Sequence, residues 1–251
     1  MDFLASLAAW FIDSANWTGS DGILNRITEH IIISVVAIGI AVATAVPAGL
    51  FIGHTGRAAF AAISLANIGR AIPSYAVLVI AFPLSIVYAR VADVDIAIFA
   101  TLVAMVLLAI PPIVTNTFIG LRGVDRDLVE AARGMGMRGH ELLLRVELPI
   151  GLPVVLAGLR TASVQVVATA TLGAVIGGGG LGRYIVQGIA RNDDERLVAG
   201  ALMVALLAIA TELLFTLIQR RFVSPGLALQ GKAGGAFQEA SQVGRADIPA
   251  G

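Results

Sequence analysis

Three ionisable residues, Arg70, Arg160 and Glu212, stand inside long apolar runs. A charge within a bilayer is costly and is paired or functional where it occurs. Arg160 lies eleven residues beyond Pro149, roughly 16 Å along a helix at about 1.5 Å per residue. Glu212 lies eight residues before Arg220, roughly 12 Å in from the same side. The matched depths predict a structural ion pair; the alternative has Arg160 reaching back to the surface and Glu212 capping a neighbour. Arg70 lies 13 residues past Arg57, about 20 Å along a helix, which is far enough to reach a central pathway. A structural role is the stronger reading for Arg70, because a bare guanidinium would be a repulsive element for a cationic or zwitterionic solute. Covalent chemistry finds no support. The 251 residues contain no cysteine, and His30, His54 and His140 lack metal-ligand spacing. No span offers a His-Glu-x-x-His, a Ser–His or a paired Asp, so no catalytic residue, metal or cofactor is expected and an intramembrane enzyme is disfavoured.

The charged stretch EAARGMGMRGHELLLRVELP, Glu130 to Pro149, interrupts the apolar sequence. It reads as two short helices around a glycine turn. Asp127, three residues before Glu130, suggests a capping box. Ala131 and Ala132 leave one face small and closely approachable. Gly134, Gly136 and Gly139 break the helix, since glycine tolerates positive φ and weakens a helix interior. A second amphipathic stretch, His140 to Glu147, runs into Pro149, which suits the first turn of a following helix.

These elements belong to a membrane protein. Hydrophobic residues make up 57% of the chain and charged residues 14%, against about 25% charged in soluble domains. The zero net charge gives no reason to expect a nucleic-acid partner. A span needs about 20 predominantly apolar residues, and five stretches qualify: Ile31–Gly53, Ala58–Ala89 (kinked by Pro73 and Pro83), Ile96–Leu121 (with Pro111 and Pro112), Ile150–Ile176 and Leu197–Gln219. Intramembrane prolines are tolerated where neighbouring helices satisfy the freed backbone groups, which points to a packed bundle.

Five crossings put the chain ends on opposite sides. One side carries eight arginines: Arg57, Arg122, Arg126, Arg133, Arg138, Arg145, Arg220 and Arg221. The other carries five (Arg26, Arg90, Arg183, Arg191, Arg196) among several acidic residues. The positive-inside rule then places the charged stretch and the C-terminus in the cytoplasm and the N-terminus outside. Residues 1–25 read as an external interfacial segment, with Phe3, Leu4, Leu7, Trp10 and Phe11 near helical spacing and no basic region of a signal peptide. Residues 223–251, rich in Gly, Ala and Gln, read as a disordered cytoplasmic tail. The glycines Gly177–Gly180 and Gly182 lack a following Lys-Ser/Thr, so they read as a flexible external break and not as a phosphate loop. Leu181–Ala190 then reads as a short amphipathic cap with Tyr184 as an interfacial residue.

The charged stretch resembles the coupling segment of bacterial ABC-importer permeases. Glu130, Ala131, Ala132, Gly136, Leu148 and Pro149 match its Glu-Ala-Ala…Gly…Ile-x-Leu-Pro signature at the right intervals, and Val146 stands where Ile is usual. Gly134 belongs to the same turn. The resemblance implies an all-α integral membrane protein: a five-span type I importer core over residues 26–222, with cytoplasmic coupling helices within 122–149. The runs ANIGRAIP (66–73), IPPIVTNTFIGLRGVD (110–125), LPIGLPVVLAGLRTA (148–162) and ATATLGAVIGGGGL (168–181) look like the osmoprotectant branch, which imports glycine betaine, choline, carnitine or proline betaine. A methionine-importer permease is the nearest competitor, sharing the five-span layout and an Arg-x-x-Pro in the second span, and permeases for other organic solutes are the remaining alternative.

The resemblance also implies partners. No Gly-x-x-x-x-Gly-Lys-Ser/Thr run occurs in the chain, so a cytoplasmic ABC ATPase dimer is expected to supply hydrolysis. The 29 residues after Phe222 are too few for a fused binding domain, so a separate extracytoplasmic substrate-binding protein is expected. A second permease subunit, identical or paralogous, would complete the pathway in the lipid bilayer. Aromatic cages grip quaternary ammonium groups, but aromatics are only 6% of the chain. Tyr75, Phe82 and Tyr88 could line a passage; packing or lipid-facing roles are commoner, so high affinity is assigned to the binding protein. A secondary transporter would need midplane carboxylates and paired repeats, and only Glu212 is available.

Overall fold

The structure, a computed structural model, describes residues 2–92 and 95–222; the tail expected over 223–251 lies outside the described residues. Every regular element among the described residues is helical. Helix α1 (Asp2–Ile12) ends in a short 3-10 turn, Ser14–Asn16. Helix α2 (Ile23–Thr55) carries the first apolar run. Its buried face repeats every fourth residue as Ala37, Ala41, Ala45, Gly49 and Gly53. Helices in lipid associate by close packing of small residues, so this stripe is a docking face.

The second apolar run is more than kinked. Helices α3 (Ala59–Ala71) and α4 (Ser74–Ala92) meet at 97°. Pro73 has no backbone N–H and biases its predecessor away from helix, and Ile72 is extended at φ −78°, ψ 125°. Pro83, by contrast, stays inside a continuous α4.

Helix α5 (Ile96–Arg122) is the hub, with α2, α3, α4 and α8 all packed on it. Asp95 caps its first turn through the Ala97 and Ile98 amides. After α6 (Arg126–Gly134) and α7 (Gly139–Leu142), a π turn over Leu143–Glu147 leads directly into α8 (Leu148–Gly173). The central core is Ala37, Ala41 and Ala45 of α2, Met105, Ala109 and Ile113 of α5, and Ala162, Val166 and Ala170 of α8. Helix α9 (Gly182–Arg191) and the last span α10 (Asp194–Phe222) complete the chain. Among the described residues, four helical stretches are long and apolar enough to cross a membrane, and the bent α3–α4 pair brings the total to five if it is one span.

At the α9 end two expectations need correction. Gly177–Gly180 is a pinned loop and not a flexible break. The Gly180 amide donates to Glu29 at 2.9 Å, and the Leu181 amide donates to His30 Nδ1 at 3.2 Å. His30 Nε2, which must therefore carry the proton, donates to the Val167 carbonyl at 2.9 Å. Tyr184 is not interfacial: it is 3% exposed, stacked edge-on with Trp10, and donates its hydroxyl to the Asp21 carbonyl at 2.5 Å. Ile23, Leu181, Tyr184 and Met203, with Trp10 and Phe11, form a second core that ties α1 to this end. The hydrogen bond from Arg26 holds the Asp21 carboxyl below the usual carboxylate range.

Candidate coupling site

The segment between α5 and α8 leaves the bundle on a rigid stem. The two helices touch backbone to backbone there: a Cβ on Gly120 would come within 2.8 Å of the Gly151 carbonyl oxygen, and one on Gly151 within 2.6 Å of the Gly120 oxygen. A second tie crosses 93 positions of sequence. His54 Nδ1, in the last turn of α2, lies 2.6 Å from Glu147 Oε2 in the π turn. Glu147 is 6% exposed. The π turn, with i→i+5 bonds, inserts one extra residue just before Pro149, which stands in the first turn of α8.

On that stem α6 is built by its caps. Asp125, not Asp127, is the N-cap, and its carboxylate accepts from the Asp127 amide at 2.9 Å. Glu130 is therefore not the reciprocal member of a capping box at this end. Only the returning half of such a box occurs, in the following helix, where Glu141 accepts from the Arg138 amide at 2.9 Å. At the C-terminus of α6, the Gly136 amide bonds to Arg133 O at 2.9 Å and the Met137 amide to Ala132 O at 3.2 Å. This pair of bonds is a Schellman motif, and it requires a left-handed residue after the cap. Gly136 supplies it at φ +86°.

The two alanines divide. Ala132 is 3% exposed and anchors α6, while Ala131 is exposed beside Glu130. Leu142 is buried beneath α7. The expected single small face is therefore half anchor and half free surface. Leu128 and Met135, three residues before and four after Ala131, share its face; they are 52% and 74% exposed. Sequence reading passed over both, although a leucine and a methionine seven residues apart on one side of a charged helix and its cap were the available signal. Gly134 is exposed, and nothing lies within 4 Å of where its Cβ would be. Val146 and Leu148 are half-buried, and Pro149 is exposed. The arrangement is a short helix with Leu128, Ala131 and Met135 exposed along one face and Glu130 exposed on the adjoining side.

The intramembrane charges lie elsewhere. Arg160 on α8 pairs with Glu212 on α10, and both side chains are a little over a third exposed in this chain taken singly. Arg70 is not brought to them. It lines a cavity of about 390 Å³ at the α3–α4 break, with Ser74, Leu108, Pro111 and Gln165. Tyr75 is 49% exposed and does not line that cavity.

A family profile described as "Binding-protein-dependent transport system inner membrane component" matches residues 45–224. The chain is 33% identical over 210 residues to the glycine betaine/carnitine/choline transport system permease protein OpuCB of Bacillus subtilis, spanning 84% of this chain and 93% of that protein. It is 35% identical over 191 residues to the osmoprotectant import permease protein OsmW of Salmonella typhimurium, spanning 76% and 87%. Among solved structures, the inward-facing MetNI methionine ABC transporter is similar with a TM-score of 0.72 at 20% identity, covering 80% of this chain and 96% of that one. This last likeness concerns the fold.

Proposed function

This chain belongs to the binding-protein-dependent transport system inner membrane components, and from that membership we propose that it is the permease subunit of an ATP-driven importer of quaternary-ammonium osmoprotectants. Glycine betaine, choline, carnitine and proline betaine are the candidate solutes. The names of relatives at 33–35% identity support this class. The methionine alternative has only a fold likeness at 20–21% identity behind it.

The observation that carries the mechanism is the free face of α6 on a fixed stem. Two permease subunits, identical or paralogous, enclose the pathway, and each α6 seats in a groove of a cytoplasmic ABC ATPase. Leu128 and Met135 are the apolar anchors, Glu130 the polar contact, and Ala131 permits close approach. Nucleotide binding draws the ATPases together. The backbone contact of Gly120 with Gly151 and the His54–Glu147 tie pass that displacement to α5, α8 and α2. The bundle then switches between inward-open and outward-open states, driven by contacts that differ between the two. A loaded extracytoplasmic binding protein delivers the solute, and hydrolysis resets the cycle. The arginine count supports α6 and the end of α10 on the cytoplasmic side and α1 outside.

The test is reconstitution in liposomes. With a cognate ATPase and binding protein, ATP-dependent uptake of a quaternary ammonium compound is expected, with hydrolysis stimulated by the loaded binding protein and lost when residues 130–136 are scrambled. Concentrative uptake by this chain alone under a sodium or proton gradient would overturn the reading.

A further inference from the structure

The α3–α4 break is exposed on this chain taken singly and lies level with the middle of α5. Of the residues that wall its cavity, Leu108 and Pro111 are the thirteenth and sixteenth of the 27 residues of α5. Non-helical backbone at membrane depth is tolerated where it is buried in protein or lines a polar cavity. Here it does the second. The cavity, about 390 Å³, falls within the roughly 300–1,000 Å³ of small-molecule sites. Arg70, Ser74 and Gln165 give it a polar wall, and Leu108 and Pro111 an apolar one.

Two further facts separate Arg70 from a structural charge. Arg160, the other arginine within the spans, is paired with Glu212, whereas among the described residues Arg70 makes no ion pair. The break also leaves the first turn of α4 beside Arg70. The Ser74, Tyr75 and Ala76 amides begin the helix and have no intrahelical acceptors, so they are free to donate to an anion, while Arg70 itself stands in the last turn of α3 beside that helix's free carbonyls. The depth is wrong for a lipid headgroup and right for a solute in transit.

We propose that the cavity of Arg70, Ser74 and Gln165 is a carboxylate-reading subsite of the solute pathway, selecting zwitterionic ammonium carboxylates over simple ammonium cations. The inference rests on the permease reading above. The guanidinium is a planar fork that matches a carboxylate in bidentate fashion. Ser74 and Gln165 add hydrogen bonds to it, and the apolar wall accepts the methyl groups of the ammonium end. The same guanidinium repels a cation that has no carboxylate. The objection to a bare arginine on such a pathway therefore becomes its selectivity. Without an aromatic cage the subsite holds its solute weakly, as a transit position requires.

The test uses the full complex, with ATPase and binding protein, and measures uptake of glycine betaine and of choline, which has a hydroxyl in place of the carboxylate. Arg70→Gln should lower betaine uptake about tenfold relative to choline, the scale of one lost charge-assisted hydrogen bond. If the unsubstituted complex carries no choline, choline uptake should appear in the variant. Arg70→Lys should recover part of the betaine uptake. Should Arg70→Gln fail to reach the membrane, Gln165→Leu should shift the ratio in the same direction by less. Parallel loss of both solutes, or no change in their ratio, overturns the subsite. Absence of ATP-driven uptake of either solute by the unsubstituted complex overturns the permease reading itself.

Discussion

The chain passes from α5 to α8 and from α8 to α10 through two segments of similar construction, each a short helix adjoining a glycine-rich turn. Their surfaces are opposite. At the α8–α10 passage, Tyr184 is buried, and the Gly180 and Leu181 amides are spent on Glu29 and His30. At the α5–α8 passage, the hydrogen bonds go into the caps of α6 and α7, and Leu128, Ala131 and Met135 on one face, with Glu130 on the adjoining side, are left exposed. The first segment is a lid finished within the chain. The second is fixed by its caps but leaves large apolar side chains exposed, as the proposed coupling to an ATPase requires.

The sharpest way to break this contrast is at Gly136. Its φ of +86° disfavours any L side chain, although open space surrounds it. Gly136→Leu should unmake the Schellman motif, mis-aim α6 and reduce ATP-driven uptake to background while the protein still inserts. Asn, which tolerates the left-handed region, should retain more activity than Leu. Uptake and membrane abundance measured together decide the matter: near-normal transport in Gly136→Leu would refute the coupling role. The opposite outcome is expected at the lid. His30→Ala leaves the Leu181 amide and the Val167 carbonyl without their partner. It should cost about 2–3 kcal/mol of stability, read as a lower melting temperature, with uptake per folded molecule largely kept. Loss of uptake at unchanged melting temperature would show that the lid moves in the cycle.

What the sequence made legible follows from the range of the interactions. The Arg160–Glu212 contact was readable because depth along two regular helices is arithmetic from a shared surface. The turn at Gly136 was readable because a helix stop is local. The cap was misplaced by two residues, from Asp125 to Asp127, since either side chain could bond an early amide and helix ends are uncertain on that scale. Pro73 announced a disturbance but not a bend of 97°, because a proline removes one hydrogen bond and leaves the new direction to tertiary packing. Tyr184 was misread because its hydroxyl partner is 163 residues away. Nor does any local pattern announce a pairing of His54 with Glu147.

That pairing is the next test, smaller in effect because it holds the stem and not the face. Single substitutions His54→Ala and Glu147→Gln should each lower uptake by about tenfold or less. Their double-mutant cycle should return a coupling energy of about 1–2 kcal/mol. Rescue of His54→Ala should need a polar residue able to reach Glu147. Additive single effects would mean that the contact passes no displacement to α2.

The smallest expected effect is at Asp21, where acid should loosen the lid and spare the stem. Hydrogen bonding from Arg26 depresses the Asp21 carboxyl in the folded chain below its ordinary value of about 3.8. A depressed carboxyl contributes stability that is complete above the unfolded value and is lost as the pH falls through the folded one. The window is therefore below about pH 4, and neutral conditions should show no dependence from this group. Asp21 is 63% exposed on its side chain, so solvent screening keeps the contribution to no more than about 1 kcal/mol. The protection factors of the Gly180 and Leu181 amides against hydrogen exchange, taken relative to the unstructured chain at the same pH, should fall on acidification, and Asp21→Asn should lower them already at neutral pH. The Gly136 and Met137 amides at the opposite passage have no carboxylate partner and bond only to carbonyls of α6. They should not follow. If both sets of amides loosen together in Asp21→Asn, the two passages are mechanically linked, and the division into a finished lid and an unfinished lever fails.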